Sequence, residues 1–155
     1  MELPRIFQAL GENHFQELVR SISLGKLRTY KLFDRLKTRA HLHKLNQESL
    51  RKSAPRFWVR LGEGDRELAA DLSQAILVGA LDMIVEVLDF LGVPNNGGFF
   101  EKDASVKQYL TGDWQQRAYE QFRGRHSEAL LLFYLNHLAH EVDENAGIFL
   151  PAEVR

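Results

Sequence analysis

The feature that most constrains the fold is a long apolar stretch with helical periodicity between Arg66 and Leu91. Apolar residues cover a wide arc of a helix drawn through this stretch, and polar residues are confined to one narrow stripe. The members of this stripe are Asp71, Gln74, Asp82, Glu86 and Asp89. Because a helix that is apolar on most sides must be covered by other elements, the sequence predicts one continuous central helix over residues 66–91.

Helical periodicity also dominates the rest of the chain, where β-branched residues are sparse and no clear alternating apolar–polar run occurs. Gly92 and Pro94 predict a sharp stop after the central helix and a loop over residues 92–102. The other predicted helices cover residues 3–10, 14–22, 26–44, 103–110, 114–123 and 127–145, with a further helix from Gln47 that restarts at Pro55. The short links predict a single compact, bundle-like all-α domain over residues 1–155.

Side chains that can accept a hydrogen bond from the first helical turn mark several of the predicted helix starts. Asn13 and Asn46 are the predicted N-caps of the helices that begin at residues 14 and 47. Asp103 and Asp113 are the predicted caps of two later helices. Glycines at positions 11, 124 and 147 follow predicted helix ends.

Composition excludes several classes of function. The chain of 155 residues has no cysteine, which rules out thiolate metal sites, disulfide frameworks and cysteine nucleophiles. The most apolar segment, residues 75–91, is too short to span a bilayer comfortably and is interrupted by acids, so we expect no membrane partner. The first residues lack the basic and apolar parts of a secretory signal, and we expect a cytoplasmic protein.

Charge is distributed very unevenly along the chain. Residues 20–60, here called the basic segment, contain twelve Lys or Arg and only two acids, a net charge of +10, whereas the remainder carries −11. Within the predicted helix 26–44, four cations recur at steps of three and four and form a stripe. They are Arg28, Lys31, Arg35 and Arg39. Leu27, Tyr30 and Phe33 begin a separate, apolar face.

The basic segment supports three hypotheses. The first is a regulatory or scaffold module that binds a protein partner or a second copy of itself, with steering by opposite charge. The second is a nucleic-acid interface, in which cations contact phosphates and aromatic side chains stack on bases. In the third, the cations neutralise acids of the same molecule or of a homodimer. The predicted partner-binding residues are Arg28, Lys31, Arg35, Arg39, Arg56, Trp58 and Arg60.

A second candidate site lies on the predicted C-terminal helix. His137 and Glu141, like His140 and Glu144, are four residues apart and share a helix face. Imidazole and carboxylate can bind a divalent metal or a small ligand, and His126 or the acids of the central helix could complete such a site. The alternative is a solvated helix end. No other cofactor is predicted, and since no catalytic motif is present we assign no catalytic residue.

Two further segments have alternative interpretations. The acidic stripe of the central helix is expected to face water or to pair with the basic segment, in preference to acid–base catalysis. The loop from Pro94 to Phe100 places two glycines before two phenylalanines. It is either a lid or docking loop, or a turn whose phenylalanines enter the core, and we favour the turn.

Overall fold

The computed structural model describes residues 3–22, 47–100 and 104–151. The predicted all-α class is confirmed, because these residues form seven α-helices, one 3-10 helix and no strand. The helices are α1 (Leu3–Leu10), α2 (Glu12–Arg20), α3 (Gln47–Gly62), α4 (Arg66–Val78), α5 (Leu81–Leu91), the 3-10 helix (Ala104–Tyr109), α6 (Trp114–Phe122) and α7 (Glu128–Val142). None of the helices in these ranges is long and apolar enough to cross a membrane.

The prediction of one continuous helix over residues 66–91 is wrong. Helix α4 ends at Val78, and Gly79 donates its N–H to the carbonyl of Ile76 at 3.2 Å. Ala80 has φ −121° and ψ 23°, outside the helical region, and α5 starts at Leu81. Glycine loses more conformational freedom in a helix than any other residue, and the apolar pattern around Gly79 concealed this break.

The backbone contacts group into two compact units that meet in sequence at this break. We call Glu2–Gly79 the N-terminal unit and Ala80–Arg155 the C-terminal unit. In the N-terminal unit, α3 packs against α1 and α2, and α4 packs against α1 and α3. Phe7 and Phe15 are fully buried and meet edge to face, with ring centroids 5.6 Å apart. These aromatic rings form the centre of an apolar helical core.

Two details of the N-terminal unit differ from prediction. Helix α3 continues through Pro55 without a restart, so the proline removes one helical donor but does not end the helix. Helix α2 begins at Glu12, two residues before the predicted start, and Asn13 lies inside it and does not cap it. Gly11, with φ 94°, occupies the cap position instead and accepts from Phe15 N at 3.0 Å. The predicted helix 26–44 and Asn46 lie outside the described residues.

In the C-terminal unit, α6 packs against α5 and α7, and the 3-10 helix packs against α7. All residues from Leu131 to Ala139 of α7 are buried, so this helix, not the 66–91 stretch, is apolar and covered on all sides. Asn136 is buried there because its amide group bonds the backbone of Leu132 and Phe149. The predicted C-terminal helix is confirmed over Glu128–Val142, three residues short of its expected end.

Two predictions at the start of α6 and before it need correction. The segment predicted as a helix over 103–110 is a 3-10 helix over Ala104–Tyr109, and its predicted cap, Asp103, lies outside the described residues. Asp113 does not cap α6, because its Oδ1 accepts from Arg117 Nε at 3.0 Å instead. Gly92 ends α5 as predicted, in the left-handed conformation with φ 81°.

Candidate interaction surfaces

The predicted partner-binding residues fall into two groups. Four of them lie outside the described residues, namely Arg28, Lys31, Arg35 and Arg39. The other three belong to α3. Arg56 is exposed and makes no ion pair with any residue that the structure describes. Trp58 is half-buried, with its ring centroid 5.4 Å from that of Phe15, so it belongs mainly to the core and not to an open stacking platform.

Arg60 has a structural partner of its own. Its Nη2 atom lies 2.5 Å from Asp65 Oδ2, and both side chains are partly buried. The other carboxylate oxygen of Asp65 accepts from Leu68 N at 3.0 Å and so caps α4. The cation at the end of α3 therefore fixes the turn into α4. Of the three α3 residues predicted to bind a partner, Arg56 is the one whose charge remains exposed.

The two units carry opposite net charge. The N-terminal unit contains fourteen Lys or Arg and nine Asp or Glu, a net charge of +5. The C-terminal unit contains six Lys or Arg and twelve Asp or Glu, a net charge of −6. The basic segment lies wholly within the N-terminal unit, and its charge of +10 outweighs the −5 of the other residues of that unit.

The acidic stripe predicted on one helix does not have one environment. Asp71 in α4 is buried, with 5% of its surface exposed, whereas Asp82 and Asp89 in α5 are exposed. Glu86 accepts from Arg125 Nη2 at 3.0 Å and makes a short contact with His126 Nε2. The expected pairing with the basic segment is therefore wrong for Glu86, whose partners follow α6 within the C-terminal unit.

Three of the four residues predicted to bind metal lie near the end of α7, whereas Glu144 lies in the turn beyond it and does not share a helix face with His140. His137 is buried, and its Nδ1 atom is 3.3 Å from Glu141 Oε1. His140 and Glu141 are half-buried and Glu144 is exposed. Among the residues that the structure describes, no group of three or more His, Asp or Glu side chains is placed to share one metal ion. Of these four residues, the described structure pairs one imidazole with one carboxylate, His137 with Glu141.

Two groups on α7 have shifted pKa values. Burial, reinforced by the charge of Glu141, raises the pKa of Tyr134, so this phenol stays protonated in the physiological range. Its Oη atom is buried and finds no hydrogen-bond partner among the described residues. Burial lowers the pKa of His140, and the nearby carboxylates of Glu141 and Glu144 oppose this shift. The raised pKa of Tyr134 and the lowered pKa of His140 both favour the uncharged form of the side chain.

The loop after α5 exposes an aromatic side chain that we expected in the core. Phe99 keeps 66% of its surface exposed, and Phe100 is half-buried. Phe90, near the end of α5, is 41% exposed and meets Phe122 edge to face at 5.6 Å. The preferred interpretation, in which both phenylalanines enter the core, is therefore wrong for Phe99.

The C-terminal unit also has a cleft that the sequence did not indicate. Its volume is about 230 Å³, below the range typical of small-molecule sites. Lys107 and Asp143 lie on its walls with Trp114 and Gln115. Gln115 already donates to the carbonyl of Leu135 at 3.3 Å. No histidine lines this cleft, so it does not join the metal candidates on α7 to a cavity.

Comparison with known proteins supplies no relative from which a function could be transferred. No protein-family model matches the chain, and neither a curated protein nor a solved structure is significantly similar to it.

Proposed function

We propose that the chain is a helical regulatory or scaffold module whose basic segment, residues 20–60, binds an acidic surface on a protein partner. The observation that carries this proposal is the separation of charge. Twelve cations and two acids occupy residues 20–60, and the opposite sign prevails in the rest of the chain. A patch of one sign steers a partner of the other sign and speeds the encounter between them.

The exposed part of α3 favours a protein over a nucleic acid as the partner. Arg56 and Val59 are three residues apart and share one face of the helix. Val59 keeps 59% of its surface exposed beside this exposed cation. A mixture of cationic and apolar groups suits a protein interface, whereas nucleic-acid interfaces are more polar and far more positive.

Nucleic-acid binding through the same cations remains the alternative that the test must separate. The C-terminal unit, with its net charge of −6, would repel a polyanion of high charge density such as DNA. We therefore expect DNA to bind no more tightly than non-specific complexes do, with a Kd weaker than about 1 µM at physiological salt.

The test uses fluorescence anisotropy with labelled poly-L-glutamate as a model acidic polypeptide and a duplex DNA of similar length. The variant Arg28→Glu, Lys31→Glu, Arg35→Glu reverses three cations of the predicted stripe. We expect it to weaken poly-L-glutamate binding by about 10-fold or more, since each close charge contact contributes up to a few kcal/mol. Circular dichroism and an unfolding curve show whether the variant remains folded.

The matched control carries the same change in net charge at exposed cations of the C-terminal unit. It is the variant Lys107→Glu, Arg117→Glu, Arg123→Glu. We expect a smaller loss, because these three cations lie outside the basic segment and belong to the unit of net charge −6. Equal losses in the two variants would mean that only net charge matters and would refute the proposal. Tight DNA binding with a steep salt dependence would favour the nucleic-acid alternative.

A further inference from the structure

The turn that carries Phe99 is an ordered element of the C-terminal unit. Asn96 and Phe99 exchange two backbone hydrogen bonds, of 2.7 Å and 3.1 Å. Between them, Gly97 and Gly98 have φ values of 62° and 96°. Two central residues with positive φ are typical of the type I′ turn, the tight connection of β-hairpins. The backbone that presents the Phe99 side chain is therefore fixed on both sides of the turn.

The turn is also attached to α5. A Cβ atom at Gly98 would lie 3.3 Å from Ile84 Cγ2 and 3.4 Å from Leu81 Cδ2, so the glycine backbone lies directly on this helix. Asn95 adds polar contacts, because its amide donates to Asp89 Oδ1 at 2.9 Å and accepts from Gly98 N at 3.1 Å. Since the turn is already ordered, a partner that contacts Phe99 loses little entropy in ordering it.

The charge beside the turn selects the kind of partner. Asp82 and Asp89 are exposed and lie seven residues apart on one stripe of α5. This stripe borders the apolar residues over which the turn packs, including Val85, whose Cγ2 lies 3.6 Å from the Cβ position of Gly98. A surface that combines an exposed aromatic ring with carboxylates fits a segment that presents apolar and cationic side chains together.

This chain contains a segment of that chemistry. Residues 26–44 alternate an apolar series, Leu27, Tyr30 and Phe33, with the cations Arg28, Lys31 and Arg35. The helix predicted from the sequence would place the two series on neighbouring faces, a pattern typical of amphipathic helices that bind a groove or a patch. The opposite net charges of the two units provide the long-range complementarity.

We infer that the Phe99 turn and the adjoining acids of α5 bind residues 26–44 of a second copy of this chain. The inference rests on the proposed function and names the acidic partner of the basic segment. In the resulting homo-oligomer, Phe99 contacts the apolar face of the segment, and Asp82 and Asp89 pair with its cations. Phe99 is the central apolar contact, and the ion pairs set which segment is accepted.

The experiment is sedimentation velocity of the full chain from about 2 to about 200 µM, at about 0.05 M and about 0.5 M salt. We expect species of at least twice the chain mass of 17.9 kDa, which dissociate at the higher salt. Phe99→Ala is expected to raise the dissociation constant by about 30-fold, as loss of a central aromatic contact does. Asp82→Lys is expected to weaken association more than Glu120→Lys, which makes the same charge change at an exposed acid of another helix, α6.

Mixing two variants tests the pairing directly. Arg28→Glu, Lys31→Glu, Arg35→Glu and Asp82→Lys should each associate weakly alone and more strongly when mixed, because each then offers the charge that the other requires. A chain that stays monomeric at about 200 µM while still binding poly-L-glutamate would overturn this inference and leave the proposed function standing. Association that is unchanged by Phe99→Ala would also overturn it. Phe99→Ala should leave poly-L-glutamate binding unchanged, because it does not alter the basic segment.

Discussion

The N-terminal and C-terminal units resemble each other in their interiors and differ in their charge. Phe15 in the first unit and Phe133 in the second are both fully buried among helices. The first unit nevertheless carries +5 and the second −6. Burial of apolar side chains thus stabilises both units, whereas the sign of the net charge of each unit does not depend on that packing.

The largest effect should come from the cores. Phe15→Ala and Phe133→Ala each remove a fully buried ring, and each should lower the free energy of unfolding by about 3–5 kcal/mol. Urea unfolding followed by circular dichroism measures both losses. The matched control is Phe99→Ala, an exposed ring, for which we expect a change within about 0.5 kcal/mol. A loss near zero for either buried position would break the similarity between the two interiors.

The next effect separates backbone strain from packing within the C-terminal unit. Ala at Gly97 must adopt a positive φ but meets no atom within 4 Å, so we expect a loss of about 1 kcal/mol. Ala at Gly98 adds a close approach to Ile84 and should cost about 2–3 kcal/mol. Thermal unfolding of the two variants gives the difference. Equal losses of stability in the two variants would mean that a Cβ atom at Gly98 makes no unfavourable contact with α5.

A smaller pair of effects compares one helix cap from each unit. Asp65 caps α4 at 3.0 Å and also holds Arg60, whereas Ser127 caps α7 at 3.4 Å from an exposed position. We expect Asp65→Ala to cost about 1–2 kcal/mol and Ser127→Ala about 0.5 kcal/mol, measured by urea unfolding. Asp65→Asn keeps a capping oxygen and should recover part of the loss. A Ser127 effect equal to that of Asp65 would show that the ion pair with Arg60 contributes nothing.

The smallest effect is a pH dependence that belongs to α7. Burial lowers the pKa of His140 in the folded chain, so the unfolded chain binds more protons below the ordinary histidine pKa of about 6.5. The contribution of the neutral imidazole is present above that pH and is lost as the pH falls through the lowered pKa. Between about pH 7.5 and about pH 5, His140→Gln should therefore lose less stability than the unaltered chain. The free energy of unfolding of both chains is measured across this pH range. An equal loss in the variant and in the unaltered chain would refute this role for His140.

The sequence predicted those features that depend on neighbouring residues. Helix α1 has the predicted bounds, and Gly92 ends α5 in the left-handed conformation that only glycine adopts easily. The sequence does not predict the break at Gly79, because the apolar pattern continues across it. It predicts a helix restart at Pro55 that does not occur, because a helix held by tertiary packing tolerates the proline. Local propensity is a weak signal wherever packing decides the outcome.

The candidate surfaces were less predictable for the same reason. The partners of Glu86, Arg125 and His126, are about forty positions away in sequence, so no spacing rule could pair them. The exposure of Phe99 depends on the turn geometry at Gly97 and Gly98 and on the contact with α5. The cleft beside Trp114 combines residues from three separate segments. The sequence shows how many charged residues each segment contains, but it does not show which of them are buried, paired or exposed.

The enclosure of α7 has a consequence for amide hydrogen exchange. Because every residue from Leu131 to Ala139 is buried, these backbone N–H groups reach solvent only when the surrounding structure opens. Their exchange rates in native conditions should be among the slowest in the chain and should report the cooperative opening of the core around them. Deuterium uptake by α7 therefore measures how often the core opens. A partner that stabilises the folded chain should slow this uptake.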